Sequence, residues 1–195
     1  MEENNKEMEK DQEVQEEKDP AQADYEQGKE LRESGDEALA ASCFHNALIG
    51  FEQSNNEKGV ANASDQLGDI CAARDEHEKA LDHYQRAYDI CAKEKDQFSL
   101  IALQRKMVVS KKALKKYDEA IKTYLKIIDI YAGYNNPAGT VTTMEDLAEL
   151  YLEIGERQKS ADTYRTIASI HKNFKHSSQA KEFSDKALQV EKGAL

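Results

Sequence analysis

A chain of 195 residues, 33% charged and 39% hydrophobic, with two prolines and no tryptophan, has room for one domain with a real core and is built from helix formers. Its formal net charge of −11 argues against a nucleic-acid backbone or an anionic membrane as the main partner. No window approaches the roughly 18 apolar residues of a membrane span and the amino terminus lacks a signal-peptide stretch, so membrane insertion is not expected and a cytoplasmic location is.

The first 24 residues carry ten carboxylates against three lysines, a net of −7, which leaves −4 for the rest of the chain. Residues 1–19 offer only Met1, Met8 and Val14 for burial and are expected to form an acidic, disordered tail. Asp19-Pro20 then pairs an acidic cap with proline at the first helical position, which starts a helix. From there apolar residues recur at helical spacing, and a domain over 20–195 is expected.

Aligned on itself with a shift of forty, the chain shows four copies, at about 21–60, 61–100, 101–140 and 141–180. Gly28, Gly68, Val108 and Ala148 fall in one column, and Ala40, Ala80, Ala120 and Ser160 in another. Phe44, Tyr84, Tyr124 and Tyr164 form an aromatic column, and Ala47, Ala87, Ile127 and Ile167 an apolar one. Each copy divides into two helices, at Ser34-Gly35-Asp36 in the first and Ile154-Gly155-Glu156 in the fourth. The second helices are predicted over 36–54, 76–94, 117–133 and 156–173. Gln53-Ser54-Asn55-Asn56 and Gly133-Tyr134-Asn135-Asn136-Pro137 read as turns between copies. A last helix over 178–192 carries a stripe of Ala180, Phe183, Ala187, Leu188 and Val190, and is expected to cap the apolar face of the fourth copy.

The columns, and especially Asp-Gln-Leu-Gly at 65–68, Glu-Lys-Ala-Leu-Asp-His-Tyr at 78–84 and Lys-Tyr-Asp-Glu-Ala-Ile-Lys-Thr-Tyr at 116–124, resemble the tetratricopeptide repeat family in a variant of forty-residue period. The resemblance covers residues 21–195 and implies an all-α superhelix (solenoid) of four helical hairpins plus a capping helix. Small residues at a crossing let helices approach, and Tyr84 is expected to fill the space between neighbouring hairpins. Val108 and Ser160 depart from the pattern, so looser helix contacts are expected in copies three and four.

Cys43, Cys71 and Cys91 are odd in number, form no CxxC and read as small buried hydrophobes in a reducing compartment. His45, His77, His83, His171 and His176 lack metal-pair spacing and are expected to face solvent. No phosphate-binding glycine loop or nucleophile motif occurs, so neither catalysis nor a cofactor or metal is expected.

In the family the first helices line a concave groove that binds extended or helical peptides. Carried onto this sequence, the groove positions are Tyr25, Lys29 and Arg32, then Asn62, Asp65, Gln66 and Asp69, then Arg105, Lys106, Val109 and Lys112, and finally Thr142, Glu145, Asp146, Glu149 and Leu152. Bases dominate in copy three and acids in copy four, which would orient a bound segment; alternatively these charges pair across adjacent helices. The family's carboxylate clamp is incomplete, since Gln66 replaces an expected asparagine. Lys111, Lys112, Lys115 and Lys116 form a cluster that either closes its helix or docks an acidic partner. A monomeric adaptor for a protein or peptide partner is the leading expectation. A dedicated chaperone for one client and a self-assembling scaffold are the alternatives.

Overall fold

The computed structural model describes residues 19–194, and among them nine α-helices follow one another without a strand. They are α1 (Pro20–Glu33), α2 (Glu37–Gln53), α3 (Glu57–Ala73), α4 (His77–Glu94), α5 (Gln97–Ala113), α6 (Tyr117–Gly133), α7 (Pro137–Glu153), α8 (Arg157–Asn173) and α9 (Ser177–Glu191). The architecture is an all-α solenoid in which each helix packs on the one before and the one after. Of the acidic segment 1–19, only Asp19 is among the described residues; its carboxylate accepts the Ala21 N–H and caps α1.

A left-handed residue recurs every twenty positions, at Gly35, Asn55, Asp75, Lys95, Lys115, Asn135, Gly155 and Lys175. Each forms the same stop. In the first, the Gly35 N–H donates to the Arg32 carbonyl and the Asp36 N–H to the Leu31 carbonyl, which satisfies carbonyls a helix end leaves orphaned. The next helix starts two residues on, capped by the side chains of Asp36, Asn56, Asp96 and Asn136 at α2, α3, α5 and α7. Asp75, Lys95, Lys115 and Lys175 adopt this conformation with a Cβ, at a cost of about 1 kcal/mol or more each.

The small-residue and aromatic columns meet inside a hairpin. A Cβ on Gly28 would lie 2.9 Å from the Phe44 ring, and one on Gly68 would lie 2.5 Å from the Tyr84 ring. Tyr84 therefore rests on the backbone of its own hairpin, and its ring also meets the next hairpin, where Lys106 Nζ lies 5.7 Å from the ring centroid. The contact between successive hairpins is made by a column the sequence reading did not pick out: Phe51 covers Gly59 and Tyr131 covers Gly139. In copies three and four the seat is occupied by Val108 and Ala148, both buried, and α5–α6 and α7–α8 make less extensive contacts than α1–α2 and α3–α4. Looser contacts are thus present in both copies, but in the fourth the expectation rested on Ser160, which is itself fully buried.

The core runs the length of the stack in three clusters, around Phe44 and Tyr84, around Tyr124 and Ile127, and around Tyr164 and Ile167. α9 closes the last with Phe183, Ala187 and Val190 buried, while Leu188 of the predicted stripe is exposed. Cys91 is buried and Cys43 and Cys71 half-buried, all three as free thiols. His45 and His176 face solvent as expected. His77, His83 and His171 are half-buried instead, and His171 stacks on Phe183 with ring centroids 5.4 Å apart, because the helix end that carries it packs against α9.

Candidate functional site

The first helices of successive hairpins, α1, α3, α5 and α7, stand side by side and share one wall, with direct contact between α3 and α5. Opposite charges meet along this wall at separations of 37 or 41 residues, one repeat of forty less three or plus one, two spacings about a helical turn apart. Arg32 donates to Gln66 Oε1 and lies 3.2 Å from Asp69 Oδ2. Lys106 Nζ reaches both Asp65 oxygens, at 2.7 and 2.8 Å, and Asp69 Oδ1 at 2.9 Å. Arg105 donates to Asp146 at 2.9 Å and to the Thr143 hydroxyl at 3.0 Å, and Lys112 pairs with Glu153 at 2.7 Å. The bases of copy three are thus joined to acids of copies two and four, so the alternating charge of the wall is largely compensated from within.

Tyr84 belongs to this network although the sequence reading gave it only a core role. Its hydroxyl donates to Asp69 Oδ1 at 2.9 Å, and Lys106 Nζ sits 5.7 Å from its ring centroid. Burial, reinforced by the Asp69 carboxylate, pushes the Tyr84 phenol well above its ordinary value. The equivalent Tyr124 is pushed up to about 12, chiefly by burial. Asp65 is raised by burial in spite of the Lys106 ammonium that opposes it. Glu145 is raised in the same way, with Lys186 of α9 pulling against the shift. Glu153, Thr143 and Tyr84 were missed as wall residues; a search for opposite charges 41 positions apart finds the first from the sequence.

The remaining expected groove residues are not gathered into this network. Tyr25 is half-buried with its ring 5.5 Å from Phe44 and 6.3 Å from Phe51, and Leu152 packs against the last core cluster. Lys29 pairs with Glu26 on its own helix at 3.0 Å. Asn62, Val109, Thr142 and Glu149 are exposed, Val109 to 62%. The lysine cluster disperses: Lys111 donates to Thr123 and is lowered by burial, Lys112 and Lys116 pair with Glu153 and Glu78, and Lys115 occupies a turn. Among the described residues no three His, Cys, Asp or Glu side chains are grouped so as to hold a metal ion, and no helix is long and apolar enough to cross a membrane.

The tetratricopeptide repeat profile matches residues 19–93 and 99–173, more than half of the chain. The chain belongs to the tetratricopeptide repeat family. Solved structures share the fold at low identity. The apo form of RapI superposes with a TM-score of 0.71 at 16% identity over 88% of this chain, which spans 46% of RapI. A Podosopora anserina protein of kinesin light chain type with nearly identical TPR-like repeats gives 0.68 at 14% identity, covering 89% of each chain. A Rap protein complexed with Competence and Sporulation Factor gives 0.58 at 13% identity, over 88% of this chain and 52% of that one. No curated protein matches the sequence. The repeat family explains the wall: first helices of tetratricopeptide repeats stack in register, so residues one repeat apart become neighbours.

Proposed function

We propose that this tetratricopeptide repeat chain is a non-catalytic, cytoplasmic interaction module whose domain from residue 20 onward binds a peptide segment or helix of a partner protein along the wall of α1, α3, α5 and α7. The observation that carries the reading is that wall's surface: ion pairs between successive first helices, interrupted by exposed Asn62, Val109, Thr142 and Glu149. Pairs as exposed as Arg105–Asp146, with both side chains 36% accessible, contribute only about 0–1 kcal/mol each, so a partner's charges exchange into them at little cost. A similar scaffold in a Rap protein is complexed with Competence and Sporulation Factor, which supports a binding role for the fold. Three free cysteines suit a reducing compartment. The net charge of −11 favours a protein over a nucleic acid as partner.

The test is a quantitative pull-down from source lysate with wild type beside Val109→Asp/Glu149→Lys, two exposed sites whose change leaves the core intact. Prey reduced roughly tenfold with the double variant supports the wall as the binding face. Equal recovery of the same prey on both baits overturns it. Arg105→Glu/Lys106→Glu serves as a harsher version and requires a parallel thermal melt, because the new carboxylates face Asp146, Asp65 and Asp69.

A further inference from the structure

At the junction of hairpins two and three, α4, α5 and α6 enclose a polar pocket that the repeat does not require. Tyr88 of α4, Gln104 and Lys111 of α5, and Thr123 and Lys126 of α6 line it. One repeat earlier the positions of Tyr88, Gln104 and Lys111 hold Leu48, Ser64 and Cys71, and one repeat later Ile128, Met144 and Tyr151. Apolar or small side chains thus satisfy the packing of the stack at these positions, and the polar set is not there for packing alone.

The two lysines stand apart from the rest of the basic cluster. Lys106, Lys112 and Lys116 each reach a carboxylate of a neighbouring hairpin, whereas among the described residues neither Lys111 nor Lys126 has one within ion-pair distance. Lys111 is half-buried, and its Nζ donates to Thr123 Oγ1 at 3.0 Å, which leaves further N–H groups of the ammonium available. Burial lowers its pKa, the Lys126 and Lys116 ammoniums add to the shift, and the Glu119 carboxylate opposes it without closing to a salt bridge. Gln104 is 3% exposed and donates to the Tyr88 hydroxyl at 3.5 Å, so the Tyr88 O–H is free to donate in turn. On α4, Asp89 already accepts from Gln85 at 2.7 Å.

The pocket holds about 120 Å³, below the roughly 300 Å³ at which drug-sized ligands are bound, and its unused groups are donors and cations. A half-buried ammonium with no counter-charge is costly, and an anion that accepts charge-assisted hydrogen bonds from it offsets that cost.

We infer that this pocket binds a phosphoryl-type oxyanion, held between the Lys111 and Lys126 ammoniums with the Tyr88 hydroxyl as a further donor. The group is free phosphate or the phosphoserine side chain of a partner polypeptide, which offer the same oxygens to the same donors. Arg105, Lys106 and Val109 of α5 belong to the wall, whereas Gln104 and Lys111 of that helix face α4 and α6 here, so the site stands whether or not the wall binds a partner.

The test is a titration of the full chain with sodium phosphate at constant ionic strength, followed by proton–nitrogen correlation NMR. Wild type is compared with Lys111→Met, Lys126→Gln and, as a control, Lys122→Gln, an exposed lysine of α6 that does not line the pocket. Lys111→Met keeps the apolar stem and removes an unpaired charge, so it should melt at the wild-type temperature or above. Should it melt lower, the exposed Lys126→Gln carries the comparison. Saturable shifts are expected around Gln104, Lys111 and Thr123. The dissociation constant should rise about tenfold in Lys111→Met and about threefold in Lys126→Gln, stay unchanged in Lys122→Gln, and be at least about fivefold higher for acetate than for phosphate. N-acetyl phosphoserine amide, titrated in parallel, separates the sources: affinity equal to or above that of phosphate assigns a partner's side chain, and affinity well below it assigns the free anion. The proposal is overturned by the absence of saturable shifts with either ligand, by binding that persists unchanged in both Lys111→Met and Lys126→Gln, by an equal loss in Lys122→Gln, or by acetate binding as tightly as phosphate.

Discussion

Hairpins one and two differ from hairpins three and four in what lies beneath the aromatic column, and the difference spreads outward from there. In the first pair a glycine lets Phe44 or Tyr84 lie directly on the partner helix, and the two helices make a long contact. In the second pair Val108 or Ala148 fills the seat, and the helices meet less extensively. One repeat template thus yields a tightly seated half and a more loosely seated one, with no change in helix order.

The sharpest way to break this comparison is Gly68→Val. The new side chain meets the Tyr84 ring at a distance no Cβ tolerates, and the displaced ring also loses its hydroxyl bond to Asp69. A loss of about 3 kcal/mol in a urea melt is expected, against about 1 kcal/mol for Ala148→Val, where the seat is already wider. Equal losses at both positions would show that the glycine is not what separates the halves. A smaller effect is expected of Tyr84→Phe, about 1.5 kcal/mol for a half-buried bond to a carboxylate, whereas Tyr124→Phe should change stability by less than about 0.5 kcal/mol. The smallest is a gain. Asp75→Gly and Lys115→Gly remove a Cβ from a left-handed turn residue and should each raise stability by about 1 kcal/mol at most, additively across the two halves.

The fold was legible because its signals are local and repeated: glycine or a small residue, then alanine, then an aromatic, in four copies at one spacing. Which neighbour each ring touches was not legible, since Tyr84 could have pointed along the stack or across its own hairpin; side-chain direction decides that, not spacing. The ring-on-glycine contact between hairpins stayed hidden for another reason. Its column reads Phe51, Cys91, Tyr131 and His171, in which Cys91 breaks the run of rings and His171 is polar, and the glycine eight residues after Phe51 and Tyr131 is the plainer sign of it. For the wall, the sequence placed Asp65, Asp69, Arg105 and Lys106 on the right helices. It did not show that they spend their charge on one another, because that depends on how far each long side chain reaches across the step between hairpins.

The left-handed stop at every twentieth position has a consequence for how such a chain can be cut and rejoined. Excising Gln97 through Asn136 would join Asp96 to Pro137, keep the stop at Lys95, and recreate the Asp-Pro junction with which α1 begins, so the shortened stack stays in phase. Excising a single twenty-residue segment would also leave every turn intact. It would, however, exchange inner and outer helices from that point on, turning the wall's charges to the back of the molecule and its backing outward to face the guest.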